Sequence, residues 1–178
     1  MSLKPWKVLE SNYLRENVRI DRCEISNGLI VEPLVLEYGN WVNVLALTEK
    51  KEAILVRQYR HGIRKVIWEL PGGMAEENET PLECARRELL EETGFAGGAI
   101  IGTGRIYPNP ASHTNTHYSV LALDAKKVSG QDLDDTEEID VSLVPLDEVV
   151  EMARRGDLPQ SLHVTTLFFA LAQLDRIS

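Results

Sequence analysis

The sequence contains little cysteine and no long apolar run, and both absences restrict the class of protein. Among its 178 residues, Cys23 and Cys84 are the cysteines, too few for a disulfide framework or a cysteine-rich zinc cluster. No apolar stretch approaches the roughly 18 residues of a membrane-spanning helix. Residues 1–6 lack the apolar segment of a signal peptide. We therefore expect a cytoplasmic protein with reduced thiols and no membrane partner.

Positive charge is also scarce. The chain has 19 Lys and Arg residues against 28 Asp and Glu residues, a formal net charge of −9. Proteins that bind nucleic acid take most of their affinity from a basic face, so nucleic acid is not an expected partner. The acidic residues concentrate in two segments, 76–92 and 132–140. A run of like charge is usually a solvated face, so each segment needs a further reason before it counts as a site.

Apolar residues are plentiful by comparison. They make up 43% of the chain, an ordinary fraction for a globular core and too high for a disordered chain. The alternation of residues predicts strands at 17–25, 30–37, 41–47, 53–59, 66–70, 99–107, 117–123 and 139–144, and helices at 146–155 and 162–174. Strands on both sides of a central helix favour an α/β (α+β) fold, either a mixed domain or a layered α/β/α domain.

Turn residues indicate how these strands connect. Asn27-Gly28 lies between the first two predicted strands, and this dipeptide is a strong hairpin signal. The strands at 41–47 and 53–59 are predicted to form a second pair around a polar segment. Residues 71–73 (Pro-Gly-Gly) are predicted to be a loop.

The central helix is marked at both ends. Thr80 is a predicted N-cap, followed by Pro81 at the first helical position and by the capping-box carboxylate of Glu83. Gly94 supplies the residue that a left-handed helix terminus prefers. The helix should therefore run over residues 81–93. At 3.6 residues per turn, one stripe facing the core is formed by Leu82, Ala85 and Leu89.

Three carboxylates share another face of this helix. Glu88, Glu91 and Glu92 are spaced i, i+3 and i+4, and like charges at this spacing repel. Arg86 and Arg87 are predicted to point mostly elsewhere. A hard divalent cation such as Mg²⁺ would offset the repulsion and could bind substrate phosphates. The alternative is a solvated acidic rim with no bound ion.

A longer pattern surrounds these carboxylates. The chain fits Gly-x5-Glu-x7-Arg-Glu-U-x-Glu-Glu-x-Gly-U, where U is bulky and apolar, at all nine defined positions: Gly73, Glu79, Arg87, Glu88, Leu89, Glu91, Glu92, Gly94 and Phe95. A chance match is on the order of one in millions at ordinary residue frequencies. This is the Nudix box, and the chain resembles the Nudix hydrolases. The resemblance implies an α/β/α sandwich along nearly the whole chain.

The resemblance also implies roles for the residues of the box. Its catalytic metal ligands would be Glu88, Glu91 and Glu92, joined by the backbone carbonyl near Gly72. Glu79 and Arg87 would form an orienting pair between the acidic loop and the helix, while Gly73 and Gly94 would permit backbone turns. The implied cofactor is Mg²⁺, with Mn²⁺ as a substitute. It would screen the diphosphate, polarise a phosphoryl oxygen and acidify the attacking water.

Two further segments resemble the ADP-ribose pyrophosphatase branch of the family. They are residues 56–60 (Val-Arg-Gln-Tyr-Arg) and 68–73 (Trp-Glu-Leu-Pro-Gly-Gly). A nucleoside diphosphate sugar is the implied substrate, bound by Arg57, Arg60, Trp68, Glu69 and Pro110. Surface solubility for the arginines and a core position for the tryptophan are the alternatives. Residues 107–115 depart from the branch's most familiar loop, which leaves open the group attached to the diphosphate.

The branch takes its general base from a loop after the box. Glu137 and Glu138 occupy the matching place, and either is a candidate. A solvated acidic loop, or a base from the box itself, are the alternatives.

Residues 1–40 are expected to form an N-terminal antiparallel β extension to a Nudix domain at 41–178. In the resembling branch this extension exchanges between two subunits, so a homodimer is expected. Two other functions remain open. One is hydrolysis of another nucleoside diphosphate derivative or a dinucleotide, and the other is nucleotide sensing without hydrolysis.

Overall fold

The computed structural model describes residues 4–177, so residues 1–3 of the predicted extension and of the segment examined for a signal peptide lie outside it. Its strands are β1 (Lys7–Arg15), β2 (Val18–Glu24), β3 (Ile30–Val31), β4 (Leu34–Leu36), β5 (Trp41–Ala46), β6 (Glu52–Arg60), β7 (Lys65–Glu69), β8 (Gly72–Met74), β9 (Phe95–Ala96), β10 (Ala99–Ile106), β11 (His117–Leu123), β12 (Lys126–Lys127) and β13 (Ile139–Pro145). The helices are α1 (Pro81–Thr93), α2 (Leu146–Arg155) and α3 (Ser161–Ile177). The chain divides into two compact units, 1–39 with 107–116 and 40–106 with 117–178.

The first unit contains a small antiparallel sheet. β2 pairs with β1 on one side and with β3 and β4 on the other. The predicted turn at Asn27-Gly28 is present, with Gly28 at φ 82° and the Asn27 side chain accepting a hydrogen bond from the Leu29 N–H at 3.1 Å. The second predicted strand is divided into β3 and β4. Strand β1 lies outside the strands predicted from alternation.

The second unit is a three-layer sandwich, as predicted. One sheet has the order β10-β11-β5-β8 and the other β13-β6-β7. Because side chains alternate along a strand, Val42 and Val44 of β5 pack with α1, whereas Leu45 packs with α2 and α3. The strands therefore carry one apolar layer on each face, and each layer is covered by helix.

Helix α1 has the predicted bounds and caps. Thr80 Oγ1 accepts a hydrogen bond from the Glu83 N–H at 3.3 Å, and Glu83 Oε2 accepts one from the Thr80 N–H at 2.9 Å. Gly94 ends the helix in the left-handed conformation at φ 69°. Its N–H donates to the Leu90 carbonyl at 2.7 Å. The capping box thus fixes the first turn of the helix.

Strand pairing differs from the prediction in two places. β5 and β6 were expected to pair, but they lie in different sheets and share one isolated bridge between Leu47 and Ala53. The reason is that β5 pairs in parallel with β11, a strand distant in sequence. The predicted loop at 71–73 contains the first two residues of β8, which pairs with β5 and places Gly72 opposite Asn43.

Both cysteines are buried free thiols. Burial raises the pKa of the Cys84 thiol to about 12, so this thiol is not poised to react at neutral pH. Within residues 4–177, no helix has the length and apolar composition needed to cross a bilayer.

Candidate active site

The acidic face of α1 opens into a cavity of about 650 Å³ in the second unit. Strands β5, β6 and β8, the start of α3 and the segment before β13 also contribute to it. Its wall contains predicted site residues Arg60, Gly72, Gly73, Arg87, Glu88, Glu92 and Glu137. The fold therefore brings the box together with one of the two arginines and one of the two candidate bases.

Glu92 is the deepest carboxylate of the box. It is 5% exposed, and its Oε2 accepts a hydrogen bond from the Gly72 N–H at 2.9 Å. Burial, helped by the nearby charges of Glu88 and Glu137, raises the pKa of Glu92 to about 8, although the Gly72 hydrogen bond acts in the opposite direction. No basic side chain of residues 4–177 forms an ion pair with Glu92. A cation at this position would give this buried carboxylate a positive partner in direct contact.

Arg87 lies at the centre of the other box carboxylates. Its guanidinium donates to both oxygens of Glu79 at 2.9 Å, to Glu88 at 2.9 Å and to Glu91 at 3.1 Å. It also donates to the Met74 carbonyl at 3.3 Å. The prediction that Arg87 points away from the acidic face is therefore wrong. A long side chain at i can reach the residue at i+4, and the fork geometry of guanidinium lets one arginine join several carboxylates.

These contacts hold the orienting pair firmly. The Arg87 hydrogen bonds are the main reason why the pKa of Glu79 falls to about 2. Burial raises the pKa of Glu88, although Arg87 acts in the opposite direction. Glu79 is therefore a fixed anion that positions Arg87, whereas Glu88 is a half-buried carboxylate facing the cavity.

The carboxylate and carbonyl oxygens of the box are suitable ligands for a hard divalent cation, but the side chains are not arranged around one position. In residues 4–177, no three His, Cys, Asp or Glu side chains converge as a ready-made ligand set. Glu88 and Glu91 turn toward Arg87, and Glu92 turns toward Gly72. Carboxylate and carbonyl oxygens are the ligands that Mg²⁺ takes in proteins. Binding would thus require these side chains to turn from their present partners toward the ion.

The two glycines beside the carboxylates leave space that other residues would fill. A Cβ on Gly73 would overlap the Glu88 carboxylate, and a Cβ on Gly72 would overlap the Val42 carbonyl. Gly72 also has a φ of 151°, which side-chain-bearing residues rarely adopt. Glycine at both positions keeps strand β8 close to the acidic face of α1.

Arg60 enters the cavity in contact with a buried glutamate. Its Nε donates to Glu69 Oε1 at 2.7 Å, and its Nη2 donates to Oε2 at 2.5 Å. Burial acts to raise the pKa of Glu69, but the contacts with Arg60 and with His163 together outweigh it and lower the pKa to about 2. Both predicted binding residues are therefore charged, and the two hydrogen bonds to Glu69 hold the Arg60 guanidinium in place at the cavity wall.

Arg57 and Trp68 lie away from this cavity. They are register partners on β6 and β7, and the Arg57 guanidinium lies 5.2 Å from the Trp68 ring centroid. Residues three apart in a strand point to opposite faces, so Arg57 cannot share a face with Arg60. Gln58 lines the cavity beside Arg60 instead. This alternation was available in the sequence and could have separated the two arginines.

The remaining predicted residues lie in exposed segments. Glu137 lines the cavity, and its Oε2 accepts a hydrogen bond from the Asp134 N–H at 3.3 Å. Glu138 is exposed and is not part of the wall. Pro110 lies in an exposed turn of the first unit.

Among the wall residues that were not predicted as part of the site are two buried polar side chains. Asn43 lies in the apolar strand β5, and its Oδ1 is 2.9 Å from Nε2 of the buried His117. His163 is 2% exposed at the start of α3. The signal for Asn43 is a polar amide within an otherwise apolar strand, which usually marks a required hydrogen bond.

Comparison with known proteins gives the same assignment as the box. The model of the NUDIX domain matches residues 38–165. An ADP-ribose pyrophosphatase of Bacillus subtilis is 28% identical over 140 residues, covering 78% of this chain and 76% of that protein. A methanol dehydrogenase activator of Bacillus methanolicus is 30% identical over 157 residues, covering 88% and 85%. A GDP-mannose pyrophosphatase of Salmonella typhimurium is 30% identical over 174 residues, covering 90% of both.

A solved structure supports the fold. The crystal structure of an ADP compounds hydrolase superposes with a TM-score of 0.89 at 22% identity, over 100% of this chain and 98% of that one. The family match spans the box, the residues that line the cavity, and the sandwich as far as the first turn of α3. This chain therefore belongs to the NUDIX domain family.

Proposed function

We propose that this protein hydrolyses the diphosphate of ADP-ribose or a related nucleoside diphosphate sugar, with Mg²⁺ as cofactor and Mn²⁺ as a substitute. One water is consumed, and a nucleoside monophosphate and a sugar phosphate are released. The observation that carries the proposal is the complete box around a buried Glu92 without a basic partner, at the wall of a cavity that also contains Arg60. The names of the two pyrophosphatase relatives support the substrate class.

The cation would be held by Glu88, Glu91 and Glu92 with the Gly72 carbonyl. When bound, it neutralises diphosphate charge, polarises a phosphoryl oxygen and lowers the pKa of water. Glu137 would accept the proton from the attacking water, since it is a half-buried carboxylate at the cavity wall.

The two arginines of the cavity would have different tasks. Arg87 is saturated by carboxylates and would hold the acidic face together. Arg60 gives two of its three nitrogens to Glu69. Its third nitrogen, Nη1, would bind an anionic oxygen of the substrate.

The proposal is tested with a panel of substrates and product identification by mass spectrometry. We expect ADP-ribose with Mg²⁺ to yield AMP and a sugar phosphate, and the GDP-mannose relatives make GDP-mannose the second substrate to include. Chelation by EDTA should abolish the reaction, and adding Mg²⁺ or Mn²⁺ back should restore it. A dinucleotide as the best substrate would redirect the assignment within the family. Binding of nucleotide without any product would identify a sensing module.

Glu92→Gln should lower kcat by about a hundredfold or more, because it removes one negative ligand from the deepest metal position. The amide oxygen can still accept the Gly72 hydrogen bond, so the free energy of unfolding should not fall. Glu151→Gln is the matched control, since Glu151 is paired with Arg154 on the exposed face of α2. Turnover by Glu92→Gln within twofold of the wild type would defeat the ligand assignment.

Glu137 and Glu138 form a natural pair for testing the general base. Glu137→Gln should lower kcat by about 10²- to 10⁴-fold, the usual contribution of acid–base catalysis. Glu138→Gln should leave it nearly unchanged, since Glu138 lies outside the cavity wall. Equal rates for the two variants would exclude Glu137 as the base and favour a glutamate of the box.

We also propose that residues 1–40 mediate a homodimer. Every residue of the edge strand β1 is exposed, including Val8, Tyr13 and Leu14, and among the strands within residues 4–177 β1 pairs with β2 alone. An apolar, unpaired strand edge favours association with another strand.

Light scattering at micromolar concentration should report twice the 20.0 kDa chain mass. Leu14→Glu should shift the distribution toward the monomer, because it puts a charge into the buried contact. The control is Phe168→Glu, which changes an equally exposed apolar residue on α3. A single 20.0 kDa species in the wild type would refute the homodimer.

A further inference from the structure

His163 is a buried imidazole with one free donor. Its Nδ1 accepts a hydrogen bond from the Leu70 N–H at 3.3 Å. A neutral imidazole that accepts at Nδ1 carries its proton on Nε2. The Nε2 atom is buried and forms no hydrogen bond with residues 4–177. Its nearest charged neighbour is Glu69 Oε2 at 3.7 Å, so the imidazole presents a proton toward that carboxylate.

The Glu69 carboxylate needs hydrogen-bond donors from the protein because it is almost completely buried. Its side chain is 2% exposed, and its two oxygens both accept from Arg60. Arg60 is 44% exposed at its side chain and lines the cavity. The orientation of the carboxylate therefore sets the orientation of the guanidinium, since a planar fork binds both oxygens in one plane.

A chain of polar contacts thus leads from the backbone to the cavity. It starts at the Leu70 amide, passes through His163 and Glu69, and ends at Arg60. We propose that His163 is a positioning residue, whose Nε2 proton holds the Glu69 carboxylate so that Arg60 presents its remaining nitrogen to an anionic oxygen of the substrate. This inference rests on the proposed function for the identity of the ligand. The geometry of this chain of contacts does not depend on that function.

A purely structural role for His163 has different consequences. If His163 were only structural, its substitution would lower the stability of α3 and reduce the amount of active protein, with no selective effect on substrate binding. A positioning role acts through Arg60, which contacts ground state and transition state alike. Loss of such uniform binding raises KM and leaves kcat unchanged.

Two amide substitutions of His163 test the roles of the two imidazole nitrogens separately. In His163→Asn, the Oδ1 can still accept from Leu70, but nothing replaces Nε2. In His163→Gln, the Nε2 amide can supply a donor near Glu69. Thr166→Val is the matched control, because Thr166 is fully buried on the same helix and its hydroxyl is bonded to Ser119 at 3.0 Å, away from Glu69.

Steady-state kinetics with the substrate found in the panel are the first measurement. We expect His163→Asn to raise KM about tenfold with kcat within about twofold of the wild type, the size expected for a lost donor to a charged group. His163→Gln and Thr166→Val should keep KM within about twofold. In an Arg60→Gln background, His163→Asn should have no further effect on KM, since the two residues act in one chain of contacts. An unchanged KM in His163→Asn, or additive effects in the double variant, would overturn the proposal.

Hydrogen exchange of the Arg60 Nε–H, followed by NMR and assigned by its loss in Arg60→Gln, needs no activity. We expect exchange about tenfold faster in His163→Asn than in the wild type and near the wild-type rate in His163→Gln. Equal exchange in all three proteins would overturn the positioning role. If the wild type hydrolyses nothing in the panel, the proposed function fails while this measurement still decides the inference. If His163→Asn does not fold, a tenfold loss of protection in His163→Gln overturns it.

Discussion

Glu92 places a carboxylate inside the protein, next to Gly72 and Gly73 of strand β8. The packing of β8 against α1 depends on this buried carboxylate. A buried carboxylate needs a hydrogen bond or a positive charge, and within residues 4–177 this one has a single backbone donor, the Gly72 N–H. Providing that donor requires strand β8 to lie against α1. The close approach in turn requires glycine at positions 72 and 73, where a Cβ would meet the Val42 carbonyl or the Glu88 carboxylate. The spacing of glycines and glutamates in the box thus follows from one packing constraint.

Arg60 and Arg87 line the same cavity as this carboxylate and are each held by a glutamate, but they differ in which donor nitrogens they leave free. Arg87 contacts three carboxylates and a carbonyl, so its positive charge is spent within the protein. Arg60 contacts one carboxylate and keeps Nη1 for a ligand. Both glutamates that hold them, Glu79 and Glu69, have a pKa of about 2. Each arginine is therefore held by a carboxylate that is ionised at neutral pH.

Local signals in the sequence were sufficient for α1 and for the layers of the sandwich. The helix follows from Thr80, Glu83 and Gly94 alone, since caps are determined by neighbouring residues. Strand pairing was harder, because the partner of β5 is β11, far along the chain, and no local pattern specifies it. For the candidate site, the spacing of residues on α1 was sufficient to group the box carboxylates on one face of the helix. Arg57 and Arg60 could have been separated by strand alternation, whereas the choice between Glu137 and Glu138 depends on the path of an irregular loop.

The charge of the cavity explains why a cation and an anionic substrate should bind together. Acidic side chains in its wall outnumber basic ones by five to two, and Arg87 is already neutralised by its own partners. A diphosphate entering alone would meet net repulsion, which is strong where water is partly excluded. A divalent cation among the glutamates reverses the sign of the local potential. Each ligand then raises the affinity for the other by the same factor. In the proposed reaction, the repulsion among the box glutamates, which is unfavourable for the helix alone, would thus make substrate binding conditional on the cation.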